Sequence, residues 1–423
     1  MEHPAGPLEP GEDPIDHLFR RESGRMIATV ARLLGLQNLA LAEDVVQDAF
    51  CRAVEVWKYR GMPPNPEAWL MATAKNRALD VLRRERTARK FAPELASEWS
   101  LAQTVEESFT PHAIKDDQLR MMFSCCDPRL KEEAQLALVL HLLCGFGIDE
   151  IAAAFLVSHH AMEKRVIRAK KSLAELGLIF DLADAEFSAR LSTVYRALYL
   201  LFNEGYHGAS SVSVVRAELC QEALRLTYLL MENPLGAAPA TFALGALMCF
   251  HGARLRTRIG PCGELAPLVE QDRTQWDSSL IEQGKRLLAN SASGYVLTEY
   301  HLEAMIASLH MEARSVEETN WRAIVELYDV LVEMRPSPVV ALNRAIAVAQ
   351  LRGPAEGIEE IRAISERERL DRYPFYWAAI GELESRRGDF PEAREAFLKA
   401  RDLARNPMER HFLSKRIADY SAV

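Results

Sequence analysis

Hydrophobic residues recur at intervals of three and four along most of the chain. In the first such stretch, Met26, Val30, Leu33 and Leu34 fall on one face of a helix. Stretches in which apolar and polar residues alternate, as they do in β-strands, are scarce. Because a period near 3.6 is the signature of amphipathic helices, the pattern predicts an all-α protein.

The same pattern predicts how the chain is divided. Helical stretches are interrupted by a segment rich in glutamate and proline, which reads as a linker. The expected parts are a flexible lead (1–13), a helical domain (14–90), an acidic linker (91–113), a second helical domain (114–180), a helical extension (183–300) and helical repeats (301–423).

The last part contains faint internal repeats. Small residues stand twelve positions apart twice, at Ala345 and Gly357 and again at Gly381 and Ala393. Such residues allow two helices to approach closely, and Ile361 would then correspond to Phe397 as the larger residue. The offsets of Trp377, Gly381, Ala393, Phe397 and Ala400 are those of a tetratricopeptide-like helix pair, so we expect a helical solenoid.

Composition excludes several classes of protein. The 423 residues carry a formal net charge of −9 and have too few long apolar runs for a membrane protein. The acidic, proline-rich start is not a secretory signal. The seven cysteines are an odd number, which does not suggest a framework of disulfide pairs. We expect a cytoplasmic protein with reduced thiols and no cofactor. A metal site of Cys125, Cys126, His141 and Cys144 can be imagined, but it lacks a CxxC pair, and we expect none.

The stretch "GFGIDEIAAAFLVSHHAMEKRVIRAKKSL" predicts a short helix joined by a tight turn to a second helix. Residues 148–155 form the first, 156–158 the turn, and Ser158 is a good N-cap for the second helix. The inward positions of the second helix are Met162, Val166 and Ala169. The other face carries His159, His160, Glu163, Lys164, Arg165, Arg168, Lys170 and Lys171. This pattern indicates a DNA-binding helix-turn-helix; the alternative is a solvated helix with a charged face.

Two further helices carry opposite charge. The stretch 66–90 bears seven cations against three acids, with Pro66 near its first turn. Its basic face is suited to phosphates. Upstream, the stretch 41–57 places Asp44, Gln47 and Asp48 on one face, which is suited to a protein partner; a solvated acidic face is the alternative.

Taken together, "AEDVVQDAF", "EAWLMATAKNRALDVLRRER", the acidic linker and the helix-turn-helix resemble a bacterial RNA polymerase sigma factor. The resemblance is to the sigma-70-like extracytoplasmic-function group, which has only regions 2 and 4, and it covers residues 14–180. The stretch "LYLLFNEGYHGASS" (198–211) and the repeats resemble a subgroup with a long C-terminal extension.

The resemblance implies a role for each matching residue. Asp44, Gln47 and Asp48 would dock on the clamp of the largest subunit of core RNA polymerase. The helix of region 4 would read the −35 element of promoter DNA, with Ser158 and the charged residues listed above. The −10 element would be bound by Trp57, Tyr59, Lys75, Asn76, Arg77, Asp80, Arg83 and Arg84. The rings of Trp57, Tyr59 and Trp69 are the candidate stacking platforms for an unpaired base, although we expect Trp69 to pack in the core.

Two other polar stretches have no assigned role. A polar cluster follows an apolar helix and contains Asn203, Glu204, Tyr206 and His207. The favoured interpretation is a helix end that Gly205 terminates. The alternatives are a regulatory interface and, least expected, a catalytic site. The stretch 251–260 is basic, with Arg254, Arg256 and Arg258, and we expect these arginines to pair with the acidic remainder rather than with DNA.

The combined pattern favours a sigma factor that directs promoter-specific initiation and has no enzymatic activity. Its extension would bind residues 14–180 or a protein regulator and thereby control activity. The alternative is a one-component helix-turn-helix regulator whose repeats sense a ligand or a protein. An enzyme is disfavoured, because the sequence contains no GxSxG, HExxH or phosphate-binding glycine loop.

Overall fold

The computed structural model describes residues 14–88, 105, 107, 111–155, 157–176, 184–207, 216–260, 265–404 and 407–419. Most of these residues are helical, and no β-strand occurs among them; Ile259 and Leu265 form an isolated bridge. The predicted all-α class is therefore confirmed. The lead 1–13 and most of the linker 91–113 lie outside the described residues.

The chain forms two compact units, residues 1–197 and 198–423. The boundary falls inside one helix, Asp184–His207, and thus further along the chain than the predicted domain end at residue 180. The helices of the first unit are α1 (Pro14–Leu34), α2 (Leu39–Arg60), α3 (Pro66–Ala88), α4 (Pro111–Cys125), α5 (Glu132–Leu138), α6 (Ile148–Ala154), α7 (His159–Leu176) and the first part of α8 (Asp184–His207).

Helix α1 is the centre of the first unit. Met26 and Val30, both predicted to face inward, are fully buried, and Leu34 is buried as well, whereas Leu33 is half-buried. Helix α1 packs on α2, α3 and α4, and on a π-helical turn, Val139–Leu143, that extends α5. It therefore joins the predicted region 2 to the predicted region 4.

Gly24 permits the closest of these contacts. A Cβ atom at this position would lie 2.1 Å from the carbonyl oxygen of Leu143, well inside van der Waals contact. Only glycine lets α1 approach the π-helical turn this closely, since that oxygen belongs to the backbone and cannot rotate away.

The predicted helix pair is present as the short α6 and the longer α7, which pack against each other. Ser158 caps α7 as expected, because its Oγ accepts a hydrogen bond of 3.3 Å from the amide of Ala161. Met162, Val166 and Ala169 are buried, as predicted. Val157 and Ser158 belong to the turn, and Leu156 lies outside the described residues.

The second unit is a succession of helices after α8. These are α9 (Ala217–Glu232), α10 (Pro239–Gly252), α11 (Ser278–Ser291), α12 (Glu299–Glu312), α13 (Trp321–Met334), α14 (Pro338–Arg352), α15 (Pro354–Arg362), α16 (Pro374–Arg387), α17 (Phe390–Leu403) and α18 (Pro407–Asp419). Its hydrophobic clusters each join helices that are near neighbours in sequence, as expected when every helix packs on the next.

Small residues mark the close contacts predicted for the repeats. A Cβ on Gly357 would lie 2.3 Å from the Cβ of Ala349 and 3.2 Å from the carbonyl oxygen of Ala345. A Cβ on Gly381 would lie 2.9 Å from the ring of Phe397. The helices α14 and α15, and likewise α16 and α17, therefore pack through the small residues that sequence spacing singled out.

Candidate nucleic-acid interface

The acidic face of α2 lies at the surface, where it borders a groove. Asp44, Gln47 and Asp48 are exposed and line this groove of about 440 Å³, together with Leu41, Val45, Cys51, Arg77 and Val81. Asp48 also accepts hydrogen bonds from Arg77 of α3, at 2.9 Å from Nε and 2.8 Å from Nη2. Asp48, predicted to bind polymerase, thus contacts Arg77, predicted to bind DNA. Asp44 and Gln47 are both exposed to solvent.

Helix α3 presents the basic surface predicted for the −10 element. Asn76, Asp80, Arg83 and Arg84 are exposed, while Lys75 and Arg77 are half-buried. The helix begins at Pro66 as predicted, and the side chain of Asn65 caps it by accepting a hydrogen bond of 2.9 Å from the amide of Ala68. Arg83 forms an ion pair of 3.8 Å with Asp80 on the next turn.

The two aromatic residues predicted as stacking platforms differ in burial. Tyr59 is 83% exposed at the end of α2. Trp57 is 7% exposed, and its ring packs edge-to-face on Trp69 at a centroid distance of 5.4 Å. The prediction for Trp57 is corrected accordingly: in this fold it is a core residue, because the helical turn that exposes Tyr59 directs residue 57 toward α3.

Helix α7 carries most of its predicted charged residues on the surface. Ser158, His159, His160, Lys164, Arg168 and Lys171 are exposed, and Glu163, Arg165 and Lys170 are half-buried. Several of them bind acidic neighbours: His159 contacts Asp149, Arg165 contacts Glu133 at 3.0 Å, and Lys171 lies 3.9 Å from Glu175. Lys164 and Arg168 form no ion pair with the part of the chain that the structure describes.

Lys170, another of the predicted phosphate-binding cations of α7, pairs with an acid of α2. Its ammonium lies 2.6 and 2.8 Å from the two carboxylate oxygens of Glu43 in α2, and the ring of His141 contacts the same carboxylate at 3.1 Å. Burial alone would raise the pKa of Glu43, but the hydrogen bond from His141 and the charge of Lys170 hold it below its ordinary value. In this structure Lys170 is therefore paired with Glu43 of α2, a contact that the sequence did not predict.

A second ion pair joins the same two parts of the first unit. The guanidinium of Arg32 in α1 lies 2.7 Å from Asp117 in α4, whose side chain is fully buried. The sequence pattern did not predict the contacts of Glu43 with Lys170 and His141 or of Arg32 with Asp117. No local signal could have found them, because each pair joins residues that are far apart in the chain.

The polar stretch at the end of α8 lies in the second unit. Asn203 and Glu204 are half-buried, and Tyr206 is buried. The prediction that Gly205 ends the helix is wrong, because α8 continues to His207. Gly205 is instead a point of close approach, where a Cβ would lie 2.8 Å from the amide of Cys220.

The basic stretch 251–260 is also arranged differently from the expectation. Arg256 is exposed, but Arg254 and Arg258 are buried and form no ion pair with the described residues. Among the described residues, the predicted pairing with acidic side chains is therefore not found for Arg254 and Arg258.

The cysteines seen in the structure are free thiols. Cys125, Cys126, Cys144, Cys220 and Cys249 are buried, and Cys51 is exposed; Cys262 lies outside the described residues. Burial raises the pKa of Cys126 to about 12, which keeps its thiol protonated. Within the described ranges, no group of three His, Cys, Asp or Glu side chains is arranged to hold a metal ion. No helix in those ranges is both long and apolar enough to cross a membrane.

Comparison with known proteins identifies the family. Residues 18–88, which include most of α1 and all of α2 and α3, match the model of sigma-70 region 2. The chain is 30% identical over 172 residues to the RNA polymerase sigma factor CarQ of Myxococcus xanthus, a match that covers 90% of that protein and 39% of this chain. The chain belongs to the sigma-70 family of RNA polymerase sigma factors.

The rest of this sigma factor is similar to proteins of unknown function. Residues 190–292 match DUF6596, a family of unknown function. Over 403 residues the sigma factor is 35% identical to the uncharacterized protein R00370 of Rhizobium meliloti strain 1021, and the match covers 95% of both chains. A relative of nearly the same length therefore has both the sigma part and the extension.

Proposed function

We propose that this sigma factor is of the extracytoplasmic-function type, binds core RNA polymerase in the cytoplasm and directs initiation at specific promoters without enzymatic activity of its own. The observation that carries the proposal is the separation of charge in the first unit. An exposed acidic groove on α2 contains Asp44 and Gln47, while α7 presents Lys164 and Arg168 without ion pairs in the described part of the chain. An acidic face repels DNA and suits a basic protein surface, whereas unpaired exposed cations suit phosphates.

Each surface then has one partner. The acidic face of α2, with Asp44, Gln47 and Asp48, binds the clamp of the largest polymerase subunit. The exposed side of α3 and the ring of Tyr59 bind the −10 element, and α7 enters the major groove at the −35 element. On α7 the cations Lys164 and Arg168 bind phosphates, and His159, His160 and Glu163 lie toward base edges, where a carboxylate can accept a hydrogen bond from cytosine N4.

Contact with both promoter elements requires the first unit to open. The names of the two elements mark positions about 25 base pairs apart, which is about 85 Å of DNA at about 3.4 Å per base pair. A compact unit of 197 residues has a radius of gyration of about 16 Å and cannot span that distance. The contacts of α1 with the π-helical turn and of Glu43 with Lys170 therefore belong to a closed form, which must separate on polymerase.

Reconstitution with core RNA polymerase on a promoter library tests the proposal. We expect initiation from a restricted set of promoters, and we expect Asp44→Arg to weaken polymerase binding at least tenfold. The control is Glu359→Arg, because Glu359 is an exposed acid of α15 far along the chain. Absence of both initiation and polymerase binding by the full-length protein would contradict the proposal.

A one-component regulator would give a different result in the same assays. It would protect duplex operator DNA from cleavage without polymerase, and Asp44→Arg would leave that protection unchanged. The acidic groove and the region 2 match both favour the sigma factor, since a repressor or activator of that type needs neither.

We further propose that the C-terminal extension, with its tetratricopeptide-like helix pairs, regulates the activity of the sigma part. Truncation after His207 keeps α8 intact and removes the helices that follow it. The expected result is a change in promoter-specific transcription or in polymerase affinity. If the truncated protein remains folded and both quantities match those of the full-length protein, the regulatory role is excluded.

A further inference from the structure

Three arginines of the second unit lie close to two aromatic rings. The guanidinium groups of Arg254 and Arg273 lie 5.6 and 5.0 Å from the ring centre of Trp276. The guanidinium of Arg258 lies 3.8 Å from the ring centre of Tyr206. Arg254 and Arg258 are only 8% and 7% exposed, so both charges are withdrawn from solvent. We call Arg254, Arg258 and Arg273 the arginine cluster.

The arginine cluster has no carboxylate partner in the described part of the chain. The hydrogen bonds that its members donate go to neutral oxygens: Arg254 donates to the side chain of Gln271 at 3.3 Å, and Arg273 donates to the carbonyls of His310 and Ala313 at 2.9 and 2.8 Å. The buried Nε of Arg258 and the buried Nη2 of Arg273 have no acceptor among the described residues.

Other arginines of the same unit are arranged differently. Arg344 lies between Asp329 and Glu360, with a separation of 2.6 Å from each carboxylate. It is also more exposed than Arg254 or Arg258, so it needs compensation less than they do. A purely structural role would favour such partners, because burial of a charge without a partner is unfavourable, and Arg254 and Arg258 have none among the described residues.

The pKa values of Arg254 and of its neighbour His310 are lowered by burial and by nearby positive charges. Burial lowers the pKa of Arg254, and the charge of Arg258 lowers it further. Burial, Arg254 and Arg273 lower the pKa of His310 to about 4, so its ring is neutral at physiological pH. Glu317 influences Arg273 but does not come within ion-pair distance.

We propose that the arginine cluster is a binding site for a small multivalent oxyanion, of which inorganic phosphate is the simplest. A guanidinium presents a planar fork of N–H donors that matches the oxygens of phosphate, and several such groups favour a divalent over a monovalent anion. The ring of Tyr206 lies close to the guanidinium of Arg258, and the ring of Trp276 lies near those of Arg254 and Arg273. The Nε of Arg258 and the Nη2 of Arg273, which have no acceptor among the described residues, are the donors proposed for the ligand. The proposal does not depend on the sigma factor function, and it gives Tyr206 a role as a positioning residue.

Calorimetric titration of the full-length protein with sodium phosphate tests the proposal, against sodium chloride of equal ionic strength. We expect saturable binding of one phosphate per chain and at least a tenfold loss of affinity in Arg258→Met, which is neutral and of similar length. The matched control is Arg256→Met, since Arg256 lies two residues away but is exposed. Sulfate and succinate titrations distinguish a phosphate-like site from a dicarboxylate site.

Thermal unfolding provides a second measurement. Phosphate should raise the melting temperature of the wild type and of Arg256→Met but not that of Arg258→Met. Without phosphate, Arg258→Met should be at least as stable as the wild type, because it removes a buried charge that no carboxylate of the described residues compensates. Where Arg258→Met fails to fold, Arg273→Met replaces it. A wild-type response to phosphate no larger than that to chloride, or an equal phosphate response in Arg258→Met, would overturn the proposal.

Discussion

The ammonium of Lys170 in α7 donates hydrogen bonds to both carboxylate oxygens of Glu43 in α2. This pair joins the helix proposed to read the −35 element to the helix proposed to bind polymerase, across 127 positions of the sequence. A cation predicted to bind DNA is therefore paired within the first unit in this structure.

Glu43→Gln should weaken that closed form. The loss of one charge leaves Lys170 and His141 half-buried without their carboxylate, so we expect about 1–3 kcal/mol of destabilisation in urea unfolding. Because the pKa of Glu43 is lowered, its contribution to stability should be present above the ordinary pKa of glutamate and lost as the pH falls through its folded value.

In Glu43→Gln, binding of a duplex that contains the −35 element should become tighter. Glu55→Gln, at an exposed site of α2, is the control, and equal stability of Glu43→Gln and wild type would contradict this account.

The exposed cations of α7 should determine the salt dependence of DNA binding. Lys164→Ala and Arg168→Ala should each reduce the slope of log affinity against log salt by about 0.9, with similar losses for all sequences, because phosphate contacts release counterions. Lys285→Ala, in the second unit, should leave the slope unchanged. Fluorescence anisotropy at several salt concentrations measures this, and an unaltered slope in both α7 variants would exclude these residues from the phosphate contacts.

Tyr59 and Trp57 should give opposite results when truncated. Tyr59→Ala removes an exposed ring, so stability should change by less than about 0.5 kcal/mol. With Tyr59→Ala, the free energy of promoter opening should become less favourable by about 1–3 kcal/mol, the usual contribution of one base–aromatic stack. Tyr59→Phe should retain this contribution. Trp57→Ala should instead destabilise the fold by about 3–5 kcal/mol. Unfolding curves and the fluorescence of a base analogue in the −10 element separate the two effects; normal opening by Tyr59→Ala would refute the platform.

Gly24→Ala should disrupt the contact between α1 and the π-helical turn. The added methyl group would overlap the backbone oxygen of Leu143, and such overpacking typically costs about 1–3 kcal/mol or more. The control is Gly252→Ala in α10, where the nearest atom to an added Cβ is 3.6 Å away and ordinary contact results. Similar melting temperatures for Gly24→Ala and wild type would show that the closed contact is not required for stability.

Glu303 should make the stability of the second unit depend on pH. Burial raises the pKa of Glu303 to about 7, although the hydrogen bond with Tyr199 and the charge of Arg335 oppose the shift. Its stabilising contribution is complete below about pH 4.5 and lost as the pH rises through about 7, by at most about 3 kcal/mol. Glu303→Gln should therefore be more stable than wild type at pH 8, while Glu326→Gln, at an exposed site, should not. Parallel stability–pH curves for Glu303→Gln and wild type would contradict this.

Local sequence predicted the elements of the candidate site well. The turn before α7, the cap at Ser158 and the buried face with Met162 and Val166 all depend on residues within a few positions of one another. Helical periodicity and helix capping depend on residues only a few positions apart, so they can be predicted from the sequence alone.

The partners of charged residues could not be predicted in this way. Lys170, Arg77 and Arg254 looked alike as cations of basic helices or turns, yet one pairs with Glu43, one with Asp48 and one has no acidic partner among the described residues. Trp57 and Tyr59 are likewise close in sequence but differ in burial.

The sequence by itself determined the helical class, the order of the helices and the positions that face the core, because these follow from the backbone and its near neighbours. Only the tertiary structure decided which charges are paired, which are buried without a partner and which remain at the surface. Those outcomes depend on desolvation and on distances between residues remote in the chain, and it is these quantities that separate the cations proposed to bind DNA from those paired within the first unit.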